Sequence, residues 1–494
     1  MTPLLTDLAT LTMITHHHDH DHDEVCAGPH THLTSVGIDI GTSTSHLMFS
    51  ELRIGYPSFH HRRPEVLERR VIARSAILLT PFSENWNIDA EPLRQLIDST
   101  FCQTRLSREE VDTGAVVITG EAARRDNARK IAELFSSEAG RFVCATAGPT
   151  LETIMAAHGS GAVYKSREEG LTMLNIDLGG GTTKVSLIEK GKIQRTTALN
   201  IGARLVAYDG SGILTRVEKA GRRFLGEIGS RLGVGDQIEG EVLSRLAARM
   251  AQLLFDVLSG GKPPWSDLLV TAPIGMLPSV DGLLFSGGVS EYVYGREQRV
   301  FGDLGPYLGR EVRREAEDRG FRLFDAAEGI RATVIGASQY TVQLSGETIF
   351  VPDGVKLPIR NLRAFVVRVS WEPPVAEKAA NAIQATLEGL DPEVRGSPFV
   401  LVFASPPFVG YGAAQELAEG IRSVLSPMSR EERPQMLVFE QNVGRVIGEV
   451  LAPDLNIPCV DEVSLSELDF IDIGERVDGE SFVPVVVKSL AFGV

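Results

Sequence analysis

The chain has 494 residues, 43% of them apolar and 23% charged, and a formal charge of −16. That length exceeds what one core usually supports, so two or three domains are expected. The acidic balance argues against tracking a nucleic-acid backbone, which needs a concentrated basic surface, and no apolar run reaches the roughly 18 residues of a membrane span. Neither a nucleic acid nor a membrane is an expected partner, and the cytoplasm is the expected compartment.

In chain order, residues 1–34 stand apart. "TPLLTDLATLTMI" sets Leu4, Leu8 and Leu11 at helical spacing, and the His/Asp run "HHHDHDHDEVCAGPHTH" follows it. The segment reads as a disordered extension, because termini are usually loose and ligands closely spaced on a loose chain make an unselective metal site. "SVGIDIGTSTSHLMFS" then reads as a strand, a turn and a second strand. Residues 89–103 read as a helix with Asp89 as N-cap. Strand "GAVVITG", a helix over 121–137, strand "RFVCATAG" and a helix over 150–157 come next. A second strand, turn and strand opens at Leu174, and helices dominate 214–258. "DGLLFSGGVSEYVYG" supplies a strand and a helix start, and 331–343 reads as a closing helix. From about 350 a third region has strands at "FVLVFAS" and "QMLVFEQ" and a helix at "GRVIGEVLA". Strands alternating with helices make the class α/β.

Two stretches share one design. In "GIDIGTSTS" Asp39 stands two residues before Gly41, and Thr42, Ser43, Thr44 and Ser45 follow. In "NIDLGGGTTK" Asp177 stands two residues before Gly179, and Gly180, Gly181, Thr182 and Thr183 follow. Glycine lets backbone N–H groups approach an anion closely, and hydroxyls add donors for phosphate oxygens. A carboxylate at the strand end holds magnesium waters or orients a nucleophile. Neither stretch is GxxxxGK[ST] or GxGxxG. One such turn would serve as a plain hairpin, but two copies, one in each half of an α/β chain, ask for more than turn-making.

The two stretches resemble the first and second phosphate motifs of the actin-like ATPases, which include the seventy-kilodalton heat-shock chaperones and the sugar kinases. "LLFSGGVSEYVYG" resembles the adenosine motif of that superfamily, and residues 116–135 and 331–342 resemble its two connecting helices. The resemblance covers 36–343 and implies an actin-like ATPase fold, two ribonuclease-H-like domains around a nucleotide cleft, with a C-terminal α/β region beyond. The expected divisions are an extension over 1–34, a first subdomain over 35–172, a second over 173–349 and the C-terminal region over 350–494. At finer scale, "VDTGAVVITGEAARRDNARKIAE", "FVCATAGPTLETIMAAHGSGA" and "LNIDLGGGTTKVSLIEKGKI" are similar to the EutA family, the reactivating factors of ethanolamine ammonia-lyase.

The resemblance implies ATP and magnesium as cofactors, with one hairpin from each domain gripping the phosphates. Gly41, Thr42, Ser43 and Thr44 would lie on one side, and Gly179, Gly180, Gly181, Thr182 and Thr183 on the other. Gly287 and Gly288 would let the nucleobase and ribose lie against backbone. Asp39 and Asp177 are the expected catalytic pair, close to the attacking water and to magnesium through water, with Asp177 the first choice as general base. The implied activity is an ATPase acting as a chaperone: ATP binding and hydrolysis loosen ethanolamine ammonia-lyase, release damaged cobalamin and admit adenosylcobalamin. The lyase and ATP/ADP are the expected partners, and the shell of a bacterial microcompartment is a candidate contact for the leucine helix. A small-molecule kinase and a non-hydrolysing nucleotide-binding scaffold stay open as alternatives. Arg124 is expected on a solvated helix face, His158 as a cap or packing residue, and His46 as a half-buried strand residue.

Overall fold

The computed structural model describes residues 31–488, apart from 57–63, 84–86, 141, 327, 341, 346–348, 389, 391–397, 405–408, 431, 464–469 and 477–481. The leucine stretch and the His/Asp run lie outside the described residues. The first sheet contains β1 (Thr31–Ile40), β2 (Thr44–Gly55), β3 (Glu65–Arg74), β5 (Thr113–Ile118) and β6 (Phe142–Ala147), with the short β4 (Leu78–Leu79) paired to β2. Its order is β3-β2-β1-β5-β6, antiparallel through the first three and parallel from β1 to β6. Helices α1 (Ala90–Thr104) and α2 (Ala128–Glu138) cover one face, packing Leu93, Ile97, Phe101, Ile131 and Phe135 on Val36, Ile38 and Phe49. Asp89 caps α1 as expected, its side chain accepting the Glu91 N–H at 3.1 Å.

The second sheet repeats the plan. It contains β7 (Thr172–Leu178), β8 (Thr183–Glu189), β9 (Lys192–Leu199), β12 (Gly282–Ser286) and β13 (Leu323–Phe324) in the order β13-β12-β7-β8-β9. Again the first three strands in sequence are antiparallel and the last two join in parallel. Strands β10 (Val206–Tyr208) and β11 (Leu214–Val217) form a separate ribbon. Helices α5 (Lys219–Glu227), α6 (Gly240–Leu258) and α8 (Gly305–Asp318) bury Phe224, Leu246, Met250, Leu254, Leu308 and Val312 against this sheet. The short α4 (Ala162–Glu169) and α7 (Ser290–Val293) complete the half.

Two helices change sides. Helix α3 (Pro149–Gly159) leaves the first sheet and packs on the second, where Ser186 donates to the Thr153 carbonyl at 3.3 Å. Helix α9 (Ala332–Gln339) leaves the second sheet and packs on the first, where Ser338 and Ser50 hydroxyls meet at 3.0 Å. The two cross so closely that a Cβ on Gly159 would lie 1.9 Å from the Ala332 carbonyl, and one on Gly336 would lie 2.3 Å from the Met155 carbonyl. Duplicated sheets of this strand order, exchanging helices, form the actin-like ATPase fold. The closing helix expected near 331–343 is α9. The first connecting helix is α3, not 116–135, which divides into β5, a turn of 3-10 helix (Gly120–Arg124) and α2. The apolar side of α2 is spent on its own sheet, whereas α3 is buried on most of its circumference, as a helix wedged between two neighbours must be.

A third sheet follows: β14 (Val342–Leu344), β15 (Ile359–Arg368), β16 (Phe399–Ala404), β17 (Met436–Phe439), β18 (Cys459–Val460), β19 (Phe470–Ile473) and β20 (Pro484–Lys488), ordered β14-β20-β19-β15-β16-β17-β18. Helices α10 (Val375–Glu388), α11 (Tyr411–Leu425) and α12 (Gly444–Leu451) cover the parallel part, closing a core around Phe399, Phe403 and Phe439.

Candidate functional site

The β1–β2 and β7–β8 hairpins turn in the same way. Gly41 N–H donates to the Thr44 carbonyl at 2.9 Å, and Gly179 N–H donates to the Thr182 carbonyl at 3.0 Å. The turns face each other so closely that a Cβ on Gly180 would lie 1.8 Å from Ser43 Oγ. Gly287 has φ +81°, and a Cβ there would meet the Leu178 carbonyl at 2.4 Å, so only glycine lets this turn dock on the second hairpin. Val289 N–H fastens the dock by donating to the same carbonyl at 3.1 Å.

One cleft between the halves collects Asp39, Gly41, Thr42, Ser43, Thr44, Asp177, Gly179, Gly180, Gly181, Thr182, Gly287 and Gly288. Thr183 is not among the lining residues. It is fully buried and its hydroxyl donates to the Ile201 carbonyl at 2.8 Å, because strand alternation turns it toward the core. Arg124 is exposed and stands outside the cleft. His158 is a packing residue, stacked on Tyr340 at 4.6 Å; burial, followed by Arg69 and Arg167, lowers its pKa to about 4.

The floor of the cleft holds residues that the motif reading passed over. Strand register sets His46 opposite Asp39 and Lys184 opposite Asp177, so each aspartate has a nitrogen-bearing side chain as its cross-strand neighbour. Lys184 Nζ donates to Asp177 Oδ2 at 3.1 Å and also to Glu152 Oε1, on α3. Asp177 Oδ1 accepts the Ser286 hydroxyl at 2.9 Å. Burial works against the charge of Lys184, but Glu152 and Asp177 outweigh it and raise its pKa. Burial raises the pKa of Asp39 well above the usual carboxylate value, and Glu152 and Asp177 add to the rise while Lys184 and Thr119 oppose it. Glu152 is raised too, by burial first and then by Asp177, against Lys184 and Thr119. Three buried carboxylates thus surround one ammonium, and the surplus negative charge calls for a further cation or a proton.

Among the described residues no three His, Cys, Asp or Glu side chains converge as a direct metal cage. Asp39 lines the cleft, and among the described residues its side chain accepts only a long hydrogen bond of 3.5 Å from Thr119, which suits a single contact to a hydrated magnesium ion. Both oxygens of Asp177 already have donors. His46 is 2% exposed, neither ring nitrogen has a hydrogen-bond partner among the described residues, and burial, followed by Arg331, lowers its pKa to about 3. It stands in the cleft as a neutral imidazole. Lys184 could have been found from sequence, since a lysine inside the apolar stretch "TTKVSLIE" is a charge at a strand-core position and needs a buried partner. Glu152 carried no such local signal.

The family model described as "Ethanolamine utilisation protein EutA" matches residues 31–493. The chain belongs to the EutA family. Among curated EutA proteins, the ethanolamine ammonia-lyase reactivase of Salmonella typhimurium is 33% identical over 470 residues, covering 93% of this chain and 98% of that protein. The reactivase of the same name from Escherichia coli is 34% identical over 473 residues, with the same coverage. Among solved structures, component A of the Acidaminococcus fermentans (R)-2-hydroxyglutaryl-CoA dehydratase is 13% identical, with a TM-score of 0.33 over 62% of this chain and 97% of that one. The strand order described above, rather than that overlay, identifies the fold. The EutA match spans both glycine hairpins, Glu152, Lys184 and the third sheet. No helix among the described residues is long and apolar enough to cross a membrane.

Proposed function

We propose that this chain is an ATPase that reactivates ethanolamine ammonia-lyase, releasing damaged or inert cobalamin so that adenosylcobalamin can rebind. The observation that carries the reading is the pair of duplicated glycine hairpins facing each other across one cleft, in a member of a family whose curated relatives are named ethanolamine ammonia-lyase reactivases. Backbone N–H groups of the two turns, with the Thr42, Ser43, Thr44 and Thr182 hydroxyls, cradle the phosphates of ATP. Gly288, where an added Cβ would meet no atom within 4 Å, leaves open space for the ribose and base.

Magnesium, when bound, would supply positive charge to the phosphates, and Asp39 is the residue that would hold it. Asp177, fixed by Ser286 and Lys184, keeps unused lone pairs and takes the proton of the attacking water on one of them. Hydrolysis removes the group that both hairpins grip, so the halves part about the crossed α3 and α9. The work done on the lyase requires that the ATP and ADP forms bind it with different affinity. No bond of cobalamin is made or broken by this chain. The reading sets the protein in the cytoplasm with its lyase partner, and a microcompartment shell is a candidate contact.

The test is recovery of a lyase blocked by a tightly bound inert cobalamin, after addition of this protein, adenosylcobalamin, magnesium and ATP. Recovery that depends on ATP and disappears in Asp177→Ala is expected. Hydrolysis without recovery would overturn the lyase assignment, and phosphate transfer to an added metabolite would replace it with a kinase.

A further inference from the structure

Lys184 has a donor to spare. A lysine ammonium carries three N–H donors and no acceptor. One donor goes to Asp177 and a second to Glu152, and the third has no partner among the described residues. The side chain is 5% exposed yet borders the cleft, directly beneath the second glycine turn: a Cβ on Gly179 would lie 3.5 Å from Nζ. Its position is fixed from two directions. Strand register holds it opposite Asp177 on β7, and Glu152 holds it from α3, the helix that crosses between the halves.

On the nucleotide reading above, we propose that Lys184 is a catalytic residue whose third N–H donates to an oxygen of the γ-phosphoryl group of bound ATP. Asp39, Glu152 and Asp177 make the cleft floor hostile to a polyanion, and Lys184 is the cation that this chain itself places among them. A fixed, desolvated donor of this kind acts where charge develops in the transition state, without reorganising at the moment of reaction. In the step itself, the water oxygen bonds to the γ-phosphorus. The bond from that phosphorus to the bridging oxygen breaks, its electron pair leaving with ADP. The proton of the water passes to a carboxylate of the cluster, and Lys184 keeps its own protons throughout.

A purely structural ion pair would support folding without sorting ATP from ADP. The contact proposed here exists only when a γ-phosphate is present, so the test measures that sorting. Calorimetry on the full chain compares ADP with a non-hydrolysable ATP analogue, in wild type, in Lys184→Met and in Lys184→Met combined with Glu152→Gln. The double variant removes one of the carboxylates that the lysine would otherwise leave unpaired, and its melting curve reports that it is folded. Loss of a charge-assisted hydrogen bond should weaken the analogue by about tenfold or more, with ADP affinity held within about threefold. In Lys184→Ala, ethylammonium supplied in the buffer should restore part of the lost single-turnover hydrolysis, which repair of folding would not do. A folded double variant that keeps the wild-type ratio of analogue to ADP affinity would overturn the assignment and leave the nucleotide reading standing. Wild-type protein that binds neither nucleotide would overturn that reading and the assignment with it.

Discussion

Acid should destabilise the first half of the molecule through His46. The imidazole is buried, neither ring nitrogen is hydrogen-bonded among the described residues, and burial, followed by the charge of Arg331, takes its pKa from 6.5 to about 3. Because the folded-state value is depressed, the unfolded chain binds the extra proton. The contribution of neutral His46 to stability is complete above pH 6.5 and is lost as the pH falls toward 3. Each pH unit in that window is worth about 1.4 kcal/mol, so the loss is about 2 kcal/mol by pH 5 and about 5 kcal/mol at the acid end. Asp39 and Glu152 act in the opposite sense, since their raised values mean that protonation on the same descent favours the folded state. The wild-type curve is therefore a sum, and His46→Leu isolates one part of it. Urea unfolding without nucleotide, at pH 7 and pH 5, is the assay. The stability difference between variant and wild type should shift by about 2 kcal/mol in favour of the variant on going to pH 5. A difference that stays the same at both pH values would refute the assignment of a buried neutral imidazole.

Two further outcomes follow from the closure of the cleft. Gly180→Ala would set a Cβ 1.8 Å from Ser43 Oγ, so the hairpins could not approach as they do here. Overpacking of that kind should weaken ATP by about tenfold in calorimetry; undiminished affinity in Gly180→Ala would mean that closure is not needed. Between the halves, Glu218 accepts from Arg125 at 3.1 Å and from Arg216 at 2.7 Å, and both guanidinium groups lie over the Phe82 ring, at 5.6 and 5.5 Å. Glu218→Gln should loosen this clasp and speed nucleotide release by about tenfold in stopped-flow fluorescence, whereas an unchanged rate would remove the clasp from the cycle.

The sequence by itself determined the features that live in short windows. Gly41 with its following hydroxyls and Gly179 to Gly181 are legible because a tight turn leaves no room for a side chain wherever it occurs, and Gly287 is legible through the likeness of its stretch to the adenosine motif. Asp89 as a helix cap and the closing helix expected over 331–343, observed as Ala332–Gln339, follow from equally local rules. The tertiary structure alone decided which residues form the cleft floor. Strand alternation says that Thr183 and Lys184 point to opposite faces, but only the layers packed on β8 say that one face is core and the other is cleft. Glu152 reaches Lys184 because α3 leaves the sheet that precedes it and crosses to the next one, and no window of residues around either side chain encodes that crossing. Burial then changes the chemistry. Asp39, Glu152 and Lys184 on a solvated surface would keep nearly ordinary pKa values, whereas removed from water their protons and charges are coupled, and that coupling exists only once the two halves have come together.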